Sequence, residues 1–258
     1  MMTRYEAWLN KKSLSAVDPS LYILDISYSS PRFILNTVDK PGRNGQYVTG
    51  RHARNNSVVI SFEIHEQDTA RRQEICRRVQ QWAMGGGILT TRDRHGQRLR
   101  VICDEPSAIS SALKWTQPLK ISFTAYDQPF WEDEYYRSTM VNGSDGKASL
   151  YVPGFGAETR VEASVKNVSG GTINALTLAA GSTTMSFEGL ELQNGATLDI
   201  DYDENGLLRI RAGDVSKMSC RTSASDDDLM IRTGQASDLS VSAPGAVSVA
   251  FRAKGLYL

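Results

Sequence analysis

The sequence predicts a mainly β protein with one principal helix and two domains. A helical spacing of apolar residues is clear in one stretch, at about residues 69–84. Elsewhere apolar residues alternate with polar ones in short runs, which is typical of strands with one buried face. Composition also changes along the chain, since residues 1–140 hold all four Trp and 7 of the 21 Gly, whereas residues 141–258 hold no Trp and 14 Gly.

A chain of 258 residues with 40% hydrophobic content is long enough to bury one or two cores. It has no apolar run of the ~18 residues that a membrane span needs, and its polar N-terminus lacks the apolar segment of a signal peptide. We therefore expect no membrane association and folding in a cytoplasm. The cysteines match no zinc or redox spacing, which predicts buried free thiols at Cys76, Cys103 and Cys220.

The first domain is predicted to begin with strands and turns. Apolar residues favour short strands at 7–9 and 21–28. Residues 39–45, Asp-Lys-Pro-Gly-Arg-Asn-Gly, contain four turn-prone residue types and predict a loop. Extended segments are expected on both sides of that loop, at residues 33–35 and from Tyr47.

Residues 58–102 give the clearest pattern of a strand, a helix and a hairpin. The buried face of the strand is predicted to carry Val58, Ile60, Phe62 and Ile64. Asp68 can cap a helix over residues 69–84, and glycines 85–87 end it. The apolar stripe of that helix is predicted to consist of Ile75, Val79, Trp82 and Ala83. Residues 88–91 and 99–103 then predict a hairpin, so we expect one helix across a small antiparallel sheet.

The boundary between the domains is expected between Ser138 and Gly156. A further strand is predicted at residues 119–125, and turn-forming residues then cluster at 142–146 and 153–156. We therefore assign one domain to residues 1–140 and the other to residues 141–258.

The second domain is predicted to be a β-sandwich, because short alternating runs are separated by glycine or aspartate turns. The clearest local signal is a hairpin formed by residues 198–202 and 207–211, which flank Asp-Glu-Asn-Gly at 203–206. The other candidate strands lie at 161–165, 173–178, 185–187, 190–192, 229–231, 239–241 and 247–251.

The sequence shows no recognisable catalytic motif. The three histidines fall in no metalloprotease helix pattern, and the chain has no Gly-x-Ser-x-Gly nucleophile turn. Glycines 85–87 follow a helix, so they do not form a phosphate-binding loop at a helix N-terminus. We therefore expect no enzymatic activity and no cofactor.

The alternating acids at residues 199–203 raise the question of calcium. An EF-hand loop starting at Asp199 would need Gly at its sixth position and Glu at its twelfth, where the chain has Glu204 and Ile210. We therefore expect solvated carboxylates on a hairpin and no metal site. A hydrolase using Asp201 and Asp203 is the least favoured alternative for the function.

Charge argues against a dedicated nucleic-acid binder. Residues 1–140 carry 19 basic and 15 acidic residues, and residues 141–258 carry 10 and 14, so the halves differ only mildly, at +4 and −4. The helix is rich in arginine, including Arg77, but acids lie among the arginines as on an ordinary surface helix. Arg is enriched in protein interfaces, so we nominate subunit-contact residues instead. These candidates are Arg43, Arg71, Arg72 and Arg78.

The order of these features resembles the distal tail protein (Dit) family of long-tailed bacteriophages and their prophages. In the first half, a Gly-Arg-Asn-Gly loop at 42–45 precedes the strand at 58–64, an Arg-rich helix ending in Trp82, and a hairpin. The strand at 121–130 is similar to a family strand that ends in Asp-Pro-aromatic. Here Gln128 separates Asp127 from Pro129.

The second half carries the resemblance as well. Leu-Asp-Ile-Asp at 198–201 is similar to a hairpin of the family, and Ala-Pro-Gly at 243–245 followed by Val-Ser-Val at 247–249 is similar to its last strand. The resemblance implies a ring-forming N-terminal domain with an antiparallel sheet and one helix. It implies a galectin-like or jelly-roll sandwich as the C-terminal domain.

The resemblance also implies a structural role without enzymatic activity. Six copies would form a ring at the tip of the tail tube, in the virion, after synthesis in the bacterial host cytoplasm. The ring would join the tail tube protein to a tail-tip or lysin-bearing hub protein, and would sometimes hold receptor-binding proteins. No nucleic-acid sequence recognition and no membrane are implied.

The main alternative is a carbohydrate-binding module in residues 141–258 that recognises a host cell-wall or surface glycan. Sugar sites usually need an exposed aromatic platform, and this half lacks Trp. Its candidate platforms are Tyr151, Phe155, Tyr202 and Tyr257.

Overall fold

The computed structural model describes residues 5–30, 32–41, 44–105, 118–203 and 206–258, except for the side chains of residues 51, 52 and 105. The chain divides into one compact unit up to Glu132, which includes Leu258, and a second unit at Asp133–Tyr257. The division precedes the expected boundary at 140/141, because Arg137–Gly143 is a strand that pairs within the second unit. The turn residues at 142–146 therefore belong to that unit.

The first unit contains a helix, α1, at Thr69–Ala83. Its strands are β1 (Ala7–Leu9), β2 (Lys12–Ser13), β3 (Leu21–Tyr28), β4 (Phe33–Asp39), β5 (Gln46–Ala53), β6 (Ser57–Ile64), β7 (Gly87–Thr91), β8 (Gln97–Glu105), β9 (Leu119–Ala125) and β10 (Trp131–Asp133). Seven of these strands form an antiparallel sheet in the order β2-β1-β7-β8-β9-β6-β3, and β10 joins it beside β8. The strands β4 and β5 form a two-stranded sheet of their own.

The buried faces of β6 and α1 hold the core of the first unit. Val58, Ile60, Phe62 and Ile64 are all buried, which confirms the predicted alternation in β6. Ile75, Val79 and Ala83 of α1 are buried as predicted, whereas Trp82 is half-buried and its ring meets that of Phe123 edge to face at 6.1 Å. The helix therefore lies on the sheet. Among the described residues, no helix is long and apolar enough to cross a membrane.

Both ends of α1 follow from the sequence. The carboxylate of Asp68 accepts a hydrogen bond from the amide of Ala70 at 2.9 Å, which confirms the predicted N-cap. At the other end, Gly85 and Gly86 adopt φ of 83° and 63°. This left-handed backbone ends the helix and turns the chain into β7.

We expect Gly86→Ala to destabilise the first unit clearly more than Gly85→Ala does. A Cβ at Gly86 would lie 2.2 Å from the carbonyl oxygen of Val101, so backbone would have to move. At Gly85 a Cβ would meet no described atom within 4 Å. Gly85→Ala should therefore lower the free energy of unfolding only by the cost of a left-handed backbone at alanine, about 1–2 kcal/mol. Chemical denaturation of both variants provides the comparison. Equal losses of stability would contradict the close approach of Gly86 to β8.

The second unit is a β-sandwich, and the predicted mainly β fold with one principal helix is confirmed. Its strands are β11 (Arg137–Gly143), β12 (Lys147–Tyr151), β13 (Glu158–Asn167), β14 (Ile173–Ala180), β15 (Thr183–Leu192), β16 (Thr197–Tyr202), β17 (Leu208–Ala212), β18 (Val215–Ser216), β19 (Met230–Arg232), β20 (Ala236–Ser242), β21 (Val247–Ala253) and β22 (Leu256–Tyr257). A short 3₁₀ helix spans Met218–Cys220.

Two antiparallel sheets enclose one core in this unit. One sheet has the order β11-β21-β13-β16-β17-β18, with β19 beside β13, and the other has the order β12-β20-β14-β15. Alternate residues of their strands, such as Val161, Leu178 and Phe251, are buried between them. The runs predicted as two strands at 185–187 and 190–192 are one strand, β15, with positive φ at Gly189 and Glu191.

The three cysteines are free, but only Cys76 is buried. The predicted burial is wrong for Cys103 and Cys220, which are partly exposed. Cys220 lies in the 3₁₀ helix, where its Sγ is 3.4 Å from the carbonyl oxygen of Gly189. Burial raises the pKa of the Cys76 thiol, so this thiol is held in its protonated form.

Candidate assembly surfaces

The strands β4 and β5 form a hairpin that follows β3 and precedes β6 along the chain. We call this hairpin with its flanking residues, 32–54, the arm. The β3–β6 ladder runs as far as the pair Tyr28 and Val58, and the amide of Ser29 then donates to the carbonyl of Ser57 at 2.9 Å. The side chain of Ser29 also donates to the fully buried Asn56 at 2.9 Å. These bonds fix the base from which the arm starts.

The arm is regular but exposed. Seven pairs join its strands, from Phe33 opposite Ala53 to Asp39 opposite Gln46, with a bulge after Asn36. At ~3.3 Å per residue the six steps of β4 extend about 20 Å. Apart from half-buried positions such as Ile34 and Gly50, the described residues of β4 and Gln46–Gly50 are exposed.

Both faces of the arm carry exposed apolar side chains. Phe33, Leu35 and Val48 share one face, because Val48 pairs with Thr37, two positions after Leu35. Val38 and Tyr47 are paired on the opposite face. The exposed fractions of these five side chains run from 43% for Phe33 to 61% for Val48.

A two-stranded hairpin with both faces exposed to solvent is marginally stable by itself. Clustered exposed apolar groups are typical of surfaces that contact another protein. The arm is therefore the strongest candidate assembly surface among the described residues. Sequence analysis predicted extended segments on both sides of the 39–45 loop but nominated no contact residue in them. The available signal was the pair of apolar runs, at 33–35 and 47–48, on both sides of the predicted loop.

The arginines nominated on α1 have partners inside the chain. Arg71 and Arg78 both contact Oδ2 of Asp18, at 3.0 and 3.1 Å, and Asp18 is only 2% exposed. A buried carboxylate needs such paired positive charge, so these two contacts attach α1 to the loop before β3. Arg72 is buried and its Nη2 donates to Thr69 at 3.3 Å.

These internal contacts give Arg71, Arg72 and Arg78 structural roles. Their role in subunit contacts stays a prediction. Arg43, the fourth nominated residue, lies outside the described residues.

The nominated tyrosines lie in different surroundings, although the charge of Tyr151 is among those that act on Tyr257. Tyr151 is exposed, and the hydroxyl of Tyr257 donates to Asp133 at 3.2 Å. Partial burial, followed by the charge of Asp133, raises the pKa of Tyr257. Tyr202 lies under the guanidinium of Arg160, at 4.9 Å from the ring centroid, and burial raises its pKa.

A groove of about 450 Å³ on the second unit has a polar lining that includes Glu158, Arg232 and Asp238. None of the three nominated tyrosines lines it. Phe155, the other aromatic candidate, also lies outside that lining. Glycan binding through these aromatic residues stays a prediction.

The carboxylates considered for calcium or hydrolysis are held by neighbouring groups. Asp201 contacts Arg209 at 2.8 Å and Arg211 at 3.8 Å on β17. Asp199 accepts a hydrogen bond from Ser164 at 2.7 Å, and Asp203 accepts one from the amide of Leu207 at 2.9 Å. Over the described ranges, no group of three or more His, Cys, Asp or Glu is placed to hold a metal ion.

Sequence comparisons give no relative: no protein-family profile matches the chain, and no curated protein does. Structure comparison does find chains with a similar fold. The SPP1 Dit protein, described as a paradigm of the hub adsorption apparatus in phages that infect Gram-positive bacteria, matches with a TM-score of 0.72 at 10% identity. The match covers 97% of this chain and 98% of that chain. The fold is that of Dit.

A second match extends this result. A chain of the phage P2 baseplate in its activated conformation with Ca matches with a TM-score of 0.53 at 9% identity, over 99% of this chain and 98% of that one. Both matches, that to SPP1 Dit included, therefore span both units of this chain. Sequence identity of 9–10% is too low for the roles of individual residues to be inferred from these proteins. The role of the arm is therefore inferred from its own residues.

Proposed function

We propose that this protein is a structural component of a bacteriophage tail, at the distal end of the tail or in the baseplate hub. The observation that supports this role is the end-to-end match of both units to the SPP1 Dit protein, at a TM-score of 0.72. Fold alone does not fix function. The arm adds an independent reason, because its exposed apolar side chains are typical of a surface that contacts another protein.

The proposed mode of action is assembly into a closed ring of six copies. A cyclic ring needs a heterologous interface, in which one patch meets a different patch on the next copy. The arm can serve as one of these patches, since hydrogen bonds hold its base and it exposes apolar side chains on both faces. The ring would connect the tail tube protein to a tail-tip or lysin-bearing hub protein, and would hold receptor-binding proteins in some tails.

The proposed role requires no catalysis and no cofactor. The acids considered for a hydrolase support this proposal, because Asp201 is bound by two arginines and Asp203 closes a turn. A reaction would instead need converging acid, base and nucleophile groups.

Immunogold labelling of virions produced from the genome that encodes this chain tests the location. We expect label at the tail end farthest from the capsid, and detection of the protein in purified particles. Label on the capsid, or purified virions without the protein, would contradict a tail role. A preimmune serum on the same particles is the control.

A further inference from the structure

An exposed aromatic residue of the second unit lies beside a polar groove. Tyr151 is 59% exposed on β12, and its cross-strand partner on β20 is Ala236. Ala236 lines the groove of about 450 Å³ described above. Side chains directly opposite each other in an antiparallel pair point to the same face, with Cβ atoms about 4.5–5.5 Å apart. Tyr151 therefore lies at the margin of this groove.

A second groove continues the first along β12 and β20. It has a volume of about 410 Å³, and its lining includes Lys147, Asp238 and Ser240. Asp238 also lines the first groove, so this residue lies where the two grooves meet. Its partner in the ladder is Ser149, two positions before Tyr151 on β12. Tyr151 and Asp238 therefore share one face of the sheet, at diagonal positions. We call the two grooves together with Tyr151 the cleft.

The polar side chains of the cleft are available to a ligand. Asp238 and Glu158 are exposed, and their carboxylates form no ion pair or hydrogen bond with a described residue. The same holds for the charged groups of Lys147 and Arg232. Ser237 also lines the cleft and is only 7% exposed, yet its hydroxyl has no hydrogen-bond partner among the described residues. A buried hydroxyl normally has a partner, and a hydroxyl of a ligand can supply one.

These groups fit a neutral carbohydrate better than a charged ligand. The cleft holds two acids and two bases, so it attracts neither a polyanion nor a polycation over long range. Carboxylates accept hydrogen bonds from sugar hydroxyls, and guanidinium and ammonium groups donate to them. The ring of Tyr151 adds an apolar surface on which the C–H groups of a pyranose can pack.

The same face offers little to a protein partner. Tyr151 is the one large apolar or aromatic side chain exposed on the four strands of this sheet, all of whose residues the structure describes. The positions around it carry small side chains, such as Ala236 and Ser149, and Ala179 of β14 lies opposite Ser240. Protein interfaces are normally anchored by several aromatic or other large side chains at their centre. A face of small residues with one ring leaves room instead for a flat polar ligand.

We propose that the second unit binds a neutral polysaccharide in this cleft. Tyr151 stacks on one pyranose ring, and Asp238 accepts hydrogen bonds from the hydroxyls of that sugar. Arg232 and Glu158 contact the next sugar along the first groove, where the hydroxyl of Ser237 gains its partner. The proposal goes beyond the structural role in the tail, and it requires neither a ring nor a second protein.

An oligosaccharide array probed with the full-length protein tests the proposal. The array holds neutral oligosaccharides of bacterial cell surfaces, with lipoteichoic acid and heparin as anionic members. Isothermal titration calorimetry then measures the dissociation constant of the neutral oligosaccharide that binds best. Tyr151→Ala with Asp238→Asn is expected to raise that constant about tenfold or more, through loss of the stacking surface and of a charged acceptor.

The matched control is Tyr135→Ala with Asp214→Asn. It also removes an exposed tyrosine and an exposed carboxylate from the second unit, but neither residue lines the cleft. The control should bind as the unmodified protein does. All four side chains are exposed, so both double variants should keep their fold, which circular dichroism checks.

Tyr151→Phe separates the ring from its hydroxyl. Because phenylalanine keeps the stacking surface, this variant should hold the dissociation constant within about twofold of the unmodified protein. Tyr151→Ala should raise it clearly more. Equal losses for the two variants would overturn the stacking role of Tyr151.

The remaining outcomes also decide the inference. Binding to no member of the array at millimolar concentrations overturns it, and so does binding to the anionic members alone. A double variant in the cleft that acts no more strongly than its control places any glycan elsewhere and overturns the site. None of these results bears on the location of the protein in the virion, which immunogold labelling tests separately.

Discussion

Deletion of the arm abolishes assembly and leaves both units folded: this is the largest effect that the structure predicts. Arg32 and Arg54 already face each other through a backbone hydrogen bond of 2.7 Å. Residues 33–53 can therefore be replaced by Asn-Gly, the two-residue turn that closes antiparallel strands. The sheet of the first unit contains neither β4 nor β5, so its core should survive. Mass photometry of the variant should show monomers.

The matched control for this deletion removes exposed apolar groups outside the arm. Tyr135→Ser with Met140→Ser changes side chains that are 74% and 56% exposed on the second unit. This control should assemble as the unmodified protein does. Full assembly of the arm deletion, with circular dichroism unchanged, would show that the arm is not an assembly surface.

Phe123→Ala is expected to destabilise the first unit by about 3–5 kcal/mol, as for large core aromatics. Phe123 is fully buried on β9, opposite Val58 and Cys103, and its ring packs against that of Trp82. The cavity left by alanine would remove the ring contact between Trp82 of α1 and β9. All four Trp lie before residue 133, so tryptophan fluorescence during urea unfolding reports on this unit.

Ile102→Ala is the control for this variant. Ile102 lies on the neighbouring strand β8 and is 50% exposed, so its loss should change stability by no more than about 0.5 kcal/mol. A loss below about 1 kcal/mol for Phe123→Ala would contradict the packing of α1 on β9.

Periodicity was sufficient to predict the buried elements. Residues 58–64 alternate and residues 75–83 repeat at helical spacing, and in both cases burial follows the pattern. Asp68 and the glycines after Met84 mark helix ends through local backbone chemistry, which sequence contains directly. The sandwich was predicted for the same reason, because its inner faces are formed by alternate residues.

Two edge strands of the second unit, β11 and β12, were not predicted, because they bury too little. β11 buries Val141 and β12 buries Leu150, and each is the outermost strand of its sheet. One buried residue in a strand of five to seven gives no alternation to detect. The expected domain boundary was therefore placed within the second unit.

Long-range ion pairs were equally hidden from the sequence. Arg71 and Arg78 were expected on the exposed face of a surface helix and nominated for subunit contacts, but their partner Asp18 lies 53 and 60 positions earlier. Only the fold brings that carboxylate to α1. The arm shows the converse, since its residues were predicted to be extended, yet only the structure shows that they pair with each other and with no core strand.

The central claim is assembly into a ring, and the mass of the purified full-length particle tests it most directly. Multi-angle light scattering, with negative-stain images of the same fraction, gives the copy number and shape. The account predicts closed rings with six times the mass of the 28.4 kDa chain. A strictly monomeric particle at high concentration, even when mixed with tail tube and tail-tip proteins, would contradict it.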